Sequence, residues 1–327
     1  MKNNKVKAIA EGAMFAALCT VLSLISLYVP FMSVPVSFIC GIPVMLIFCR
    51  WGNSAGICTL VCAIGVLMIM TGNPLSVGMI SLMYIIPAAV FGLTSYKKMR
   101  FSFSVMIASV FVLIGFAVEL IILNGDGTGI DAQFNEIAAE IGKSFENMVS
   151  MVPDSAGMNI GSIINDAVSL TIYTMKLYLP SIALISAFVI GYIISAVGIF
   201  FAKRLKIKNI PYIPFNMIKA PMGTIAVYII TFLITQFSED GGIVISALKN
   251  LHLIATATIA LSGFSFADFM LSKKIKRGYV RALIYSGVFI FGAMLMSFIF
   301  EMLVLFGIFD CVSKHRITEE NGDDISE

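Results

Sequence analysis

This sequence predicts an all-α bundle that threads a lipid bilayer about eight or nine times, and three observations carry that fold class. Apolar runs recur almost from end to end, each near the roughly 20 residues a helix needs to cross about 30 Å of hydrocarbon. Of 327 residues, 59 % are hydrophobic and only 13 % are charged. Lys and Arg collect in every second gap between the runs, the bias that marks cytoplasmic loops. A backbone in lipid must satisfy its own polar groups, and runs of this length do so as helices.

Helices are expected at 7–30, 34–49, 54–72, 75–96, 101–123 and 168–202, then at 222–238, 243–271 and 279–309. The first follows Lys2, Lys5 and Lys7. Its start resembles a signal peptide, but no small-residue cleavage site interrupts it, so it stands as helix 1. The second ends at Arg50, the fourth at Lys97, Lys98 and Arg100, the sixth at Lys203 to Lys208 and the eighth at Lys273 to Arg277. These clusters put the N-terminus in the cytoplasm of a multi-pass cell-membrane protein, with TGNP, residues 124–167 and SEDGG outside. The last run is longer than one crossing needs, so it tilts, extends past the bilayer or turns back at Gly292. A single crossing places the tail outside, whereas Lys314, His315 and Arg316 favour the inside, so both sides stay open for it.

Four segments follow from this pattern. Residues 1–208 form a six-span bundle carrying an outer insertion at about 124–167; 209–221 form an inner interfacial loop; 222–309 hold the C-terminal spans; 310–327 are a polar tail. Within the insertion, Phe134, Ile137, Ala138, Ile141, Phe145, Met148, Val149 and Val152 recur at three and four spacing, which predicts an amphipathic helix stopped at Pro153. A second helical stretch from Met158 runs on into span 6, where Pro180 is available to kink it. The insertion is acidic, with Asp126, Asp131, Glu136, Glu140, Glu146, Asp154 and Asp166 against Lys143. It is either a solvated outer face or a lid over an outward cavity. The inner loop, IPYIPFNMIKAP, sets aromatic rings at headgroup level while its prolines prevent regular helix.

The formal charge of +3 is too small to imply nucleic acid. Five of the six cysteines fall in or beside apolar runs and behave as small hydrophobes; Cys58 and Cys62 share a helix face but have no accompanying His or second Cys pair to make a metal site. With only His252 and His315, no catalytic constellation assembles, and no phosphate-binding GxxxxGK[ST] loop is present, so neither an enzyme nor an ATP-driven pump is expected, and no cofactor.

Small residues mark where helices approach closely in lipid. Ala13 and Ala17 in span 1, and Ala183, Ala187, Gly191 and Ser195 in span 6, either pack the bundle or dock another membrane protein. Ionisable residues within spans need a partner or the interface. Glu11 and Asp268 lie near Lys7 and Lys273 and reach the inner headgroups; Glu301 faces the bundle or marks a bend. Lys249, Asn250 and His252 interrupt the outer part of span 8, as snorkelling or ligand-contacting residues. Tyr84, Glu119 and Lys176 offer one aromatic and two opposite charges toward the outer ends of spans 4 to 6, a set able to orient a polar organic ligand.

KAIAEGAMFAALCTVLSLI, and the stretch from GIPVMLIFCRWGNSAG to MYIIPAAVFGL, resemble the substrate-binding S subunits of energy-coupling-factor vitamin importers. The shared elements are an alanine-rich first span, a Pro-bearing short second span, a W-G-x-x-x-G connection and a Gly-rich fourth span. Across its whole length, GIFDCVSKHR included, the chain resembles the YybS-like family of uncharacterised bacterial membrane proteins. The first resemblance implies a six-helix ligand-binding bundle whose Ala13 and Ala17 dock on a coupling subunit joined to an ATPase. Three further spans and a longer outer insertion depart from that pattern. Two classes of function follow: a small-molecule-binding importer component relying on a separate energising module, or a non-transporting scaffold or regulator binding other envelope proteins.

Overall fold

The computed structural model describes residues 2–125, 129–149, 160–207, 210, 212–238, 242–292 and 295–313, and the chain divides into two units, Met1–Tyr212 and Ile213–Glu327. Among the described residues there is no strand, and seven helices are long and apolar enough to cross a membrane.

The first unit contains α1 (Lys2–Tyr28), α2 (Ser33–Cys40), α3 (Ile42–Trp51), α4 (Asn53–Thr71), α5 (Pro74–Ile80), α6 (Ile86–Tyr96), α7 (Phe101–Gly125), α8 (Ile130–Val149) and α9 (Ile160–Arg204). The TGNP turn works by local chemistry. Gly72 ends α4 in the left-handed region at φ +61°, and the Asn73 side chain caps α5 by accepting from the backbone N–H groups of Leu75 and Ser76 at 3.1 and 3.2 Å.

Two spans are broken, and they pack on each other. Span 2 is α2 plus α3, joined at Gly41 ahead of Pro43. Span 4 is α5 plus α6, joined by a π-helical turn, Ser81–Ile85, in which the Ile86 N–H reaches back five residues to the Ser81 carbonyl. Pro87 explains the turn: it has no N–H to offer the Met83 carbonyl and its ring needs room, so the helix widens by one residue. A Cβ on Gly41 would lie 2.6 Å from the Tyr84 carbonyl oxygen, and one on Gly92 would lie 2.6 Å from the Met45 carbonyl oxygen. The two spans therefore meet backbone to backbone at two levels, an approach only glycine permits.

The 45-residue α9 is continuous, with Pro180 inside it, as the uninterrupted run into span 6 predicts. At 1.5 Å per residue it is about 68 Å long, over twice the hydrocarbon thickness, so it also projects outside the bilayer. Its small-residue ladder turns inward: Ala187, Gly191 and Ser195 are buried, and a Cβ on Gly191 would collide with Ser109 of α7. Of the two readings of that ladder, bundle packing is the one the structure shows. The amphipathic helix is α8, with Phe134 buried; Val152 and Pro153 lie outside the described residues.

The second unit holds α10 (Met222–Phe237), α11 (Ile243–Lys274), α12 (Gly278–Phe291) and α13 (Met296–Val312). The long last run is thus two helices with the break at Gly292, the turning point among the three expected geometries. The end of α13 returns to the start of α10. Lys219 donates to the Ser313 carbonyl at 3.1 Å, Cys311 donates its thiol to the Ala220 carbonyl at 3.4 Å, and the Ala220 N–H donates to Ser262 at 3.1 Å. Residues 219–221 and 311–313 therefore share one end of this unit. Between α11 and α13 the contact is again glycine on backbone: Gly263 lies against the Leu303 carbonyl and Gly307 against the Ile259 carbonyl.

Glu301 is exposed, a full turn into α13, so it neither faces the bundle nor marks the bend. His252 bridges α11 to α10, with Nδ1 3.1 Å from the Thr231 hydroxyl and its ring stacked on Tyr228 at 4.9 Å. Asp268 does not simply reach headgroups beside Lys273. It pairs with Arg281 of α12 at 3.1 Å, and Tyr285 donates to it at 2.9 Å.

Candidate functional site

Tyr84 sits in the π-helical turn, half-buried, and meets Phe38 edge to face at 5.8 Å. Glu119 of α7 is half-buried. Lys176 of α9 is exposed, with its ammonium 5.6 Å from the centre of the Phe134 ring on α8. Lys176 thus tethers the amphipathic helix by a cation–π contact. The buried Ser81 hydroxyl, at the start of the same π-helical turn as Tyr84, has no hydrogen-bond partner. Polar atoms in that state call for water or another polar guest.

A different opening lies on the outward side of α1 and α4. These helices touch where Gly12 faces the Thr59 hydroxyl; a Cβ there would be 2.7 Å from it. They are parallel, since Thr20 further along α1 donates to the Ala63 carbonyl at 3.3 Å further along α4. Beside that crossing runs a cleft of about 750 Å³ lined by Lys5, Gly12, Ala13, Trp51, Cys58 and Cys62, among others. Ala13, Ala17, Cys58 and Cys62 are exposed, unlike the ladder of α9.

One end of the cleft is held by a polar cluster that joins α1 to α3. The Trp51 indole N–H donates to Glu11 at 2.7 Å, Arg50 pairs with the same carboxylate oxygen at 3.1 Å, and the Arg50 guanidinium lies 5.7 Å from the Trp51 ring centre. Gly52 makes this possible. At φ +77°, it turns the chain from α3 into α4 with the Tyr96 ring against it, and Gly56 leaves room for Phe48. The W-G-x-x-x-G connection is therefore a device for aiming Trp51 at Glu11. The sequence shows Glu11 beside Lys7 but not its real partner, which is 39 residues away in the chain.

Because Arg50 is 47 % exposed, water screens the pair and its loss should cost only about 1 kcal/mol. Glu11→Ala is accordingly expected to lower Tm slightly while shifting the emission of Trp51, the single tryptophan, as its indole loses its acceptor. An unchanged spectrum would contradict the cluster.

Among the described residues, no three His, Cys, Asp or Glu side chains stand together as a metal site. Fold and surface together define a polytopic helical membrane protein with two broken spans and an exposed small-residue face. Over residues 17–311 the chain matches the family described as Predicted membrane protein (DUF2232), and it belongs to that family. Neither a curated protein nor a solved structure matches it.

Proposed function

We propose that this protein is the small-molecule-binding component of an importer, energised by a separate module that docks on the exposed face of α1. The observation that carries this reading is the contrast between two small-residue stripes. That of α9 is buried, whereas Ala13 and Ala17 leave a close-approach surface open to another helix. The capture site is assigned to the outer core at Tyr84 and Glu119, where a π-helical turn, common at functional positions, carries the unpartnered Ser81 hydroxyl. Orientation follows the basic clusters, with the N-terminus cytoplasmic and α8 outside.

The scaffold reading keeps one specific support: spans 2 and 4 are collapsed on each other at Gly41 and Gly92, leaving no room between them at those levels. Mass spectrometry of protein purified gently from its native membrane separates the two. The importer reading expects a bound metabolite together with an ATPase-bearing partner. It further expects Ala13→Leu with Ala17→Leu to lose that partner at unchanged Tm, because both side chains are exposed. Envelope proteins without any metabolite would favour the scaffold.

A further inference from the structure

We propose that the cleft between α1 and α4 holds an anionic phospholipid, with its phosphate at Lys5 and one acyl chain laid along Gly12, Ala13, Cys58 and Cys62. This inference shares Ala13 with the docking face of the importer reading: the lipid fills the cleft of the protein alone, where no partner helix covers it. The trough cannot close, because α1 and α4 already touch where Gly12 meets Thr59. Nor can a neighbouring side chain fill it, since its middle is lined by small residues. Its small-residue lining leaves an apolar trough that a polymethylene chain can follow.

Apolar walls alone would not select a lipid, because every lipid tail offers the same surface. The selectivity lies at one end. Lys5 lines the cleft there, and Arg50 lies beside Trp51. The one acid of the cluster, Glu11, is already taken by Arg50 and Trp51, so the end presents net positive charge to the headgroup layer. An indole at that level is a usual interfacial anchor. One lysine at a membrane surface corresponds to a preference of roughly fivefold for an anionic over a zwitterionic headgroup.

Trp51 is the only tryptophan of the chain and lines the cleft, so its fluorescence reports on the occupant directly. The protein would be placed in nanodiscs containing increasing fractions of either phosphatidylglycerol or phosphatidylcholine with brominated acyl chains. Phosphatidylglycerol should reach half-maximal quenching at about one-fifth of the phosphatidylcholine fraction. Lys5→Gln should bring the two curves together, Lys97→Gln should leave them apart, and Cys58→Leu, filling the trough from its exposed side, should weaken quenching by both. Coinciding curves in the unmodified protein would mean annular lipid only. Those curves, a preference that survives Lys5→Gln, or absence of quenching by both lipids as when a polypeptide occupies the cleft, would each overturn the proposal.

Discussion

Asp268→Ala is expected to destabilise the C-terminal unit by about 3–5 kcal/mol, the usual cost of leaving one member of a buried ion pair alone. Asp268 and Arg281 expose only 11 % and 17 % of their side chains. Arg281 has little else to turn to: one Nη donates to the Asp268 carboxylate and to the Asp268 backbone carbonyl, and its Nε is buried without a hydrogen-bond partner. Removing the carboxylate strands a guanidinium in an apolar surrounding and also deprives Tyr285 of its acceptor. The check is thermal unfolding in detergent, combined with a double replacement. Asp268→Leu with Arg281→Met removes both charges, and should recover most of the loss, since apolar pairs of similar volume often replace buried ion pairs without penalty. If the double variant were as unstable as the single one, the pair would not be the cause.

Gly263→Ala should be as damaging by a different route. A Cβ at that position would overlap the Leu303 carbonyl oxygen and crowd the Gly307 amide, both backbone groups that cannot rotate aside. Gly307 has the reciprocal conflict with the Ile259 carbonyl. The α11–α13 crossing would have to spread, undoing the nearby hydrogen bond from Ser262 to Asp310 and the Phe266–Phe309 contact. The loss is expected at or above the ~3 kcal/mol upper end usual for overpacking. Gly65→Ala, at a position where nothing lies within 4 Å of the new Cβ, is the matched control and should leave Tm nearly unchanged. Equal behaviour of the two variants would refute the backbone contact.

The apolar runs told where the helices lie because length and composition alone decide what can cross lipid, and α4, α7 and α10 match their expected bounds closely. What those runs could not show was the interior of a span. Nothing in the hydropathy of SLMYIIP distinguishes a π-helical turn from regular helix; the signal was Pro87, whose missing N–H forces a local rearrangement. Long-range pairing was equally hidden. Glu11 and Asp268 each had a nearby lysine in the sequence, yet geometry gave them Arg50 and Arg281. Small-residue spacing was legible, but not which stripe faces outward: the same four-residue period describes Ala13 with Ala17 and the buried ladder of α9. Burial depends on neighbours that a periodicity does not name. The cleft went unread for that reason, since its walls come from two helices about 45 residues apart.

The return of α13 to the start of α10 also constrains how this protein is made. Lys219 and Ala220 find their partners on Ser313 and Cys311, the final described turn of the chain, roughly ninety residues later in synthesis. While the ribosome is still elongating, α10 and α11 must wait in the bilayer with that end unsealed. A translation product cut short before Cys311 would present those unsatisfied groups indefinitely, a ready mark for membrane quality control to degrade it.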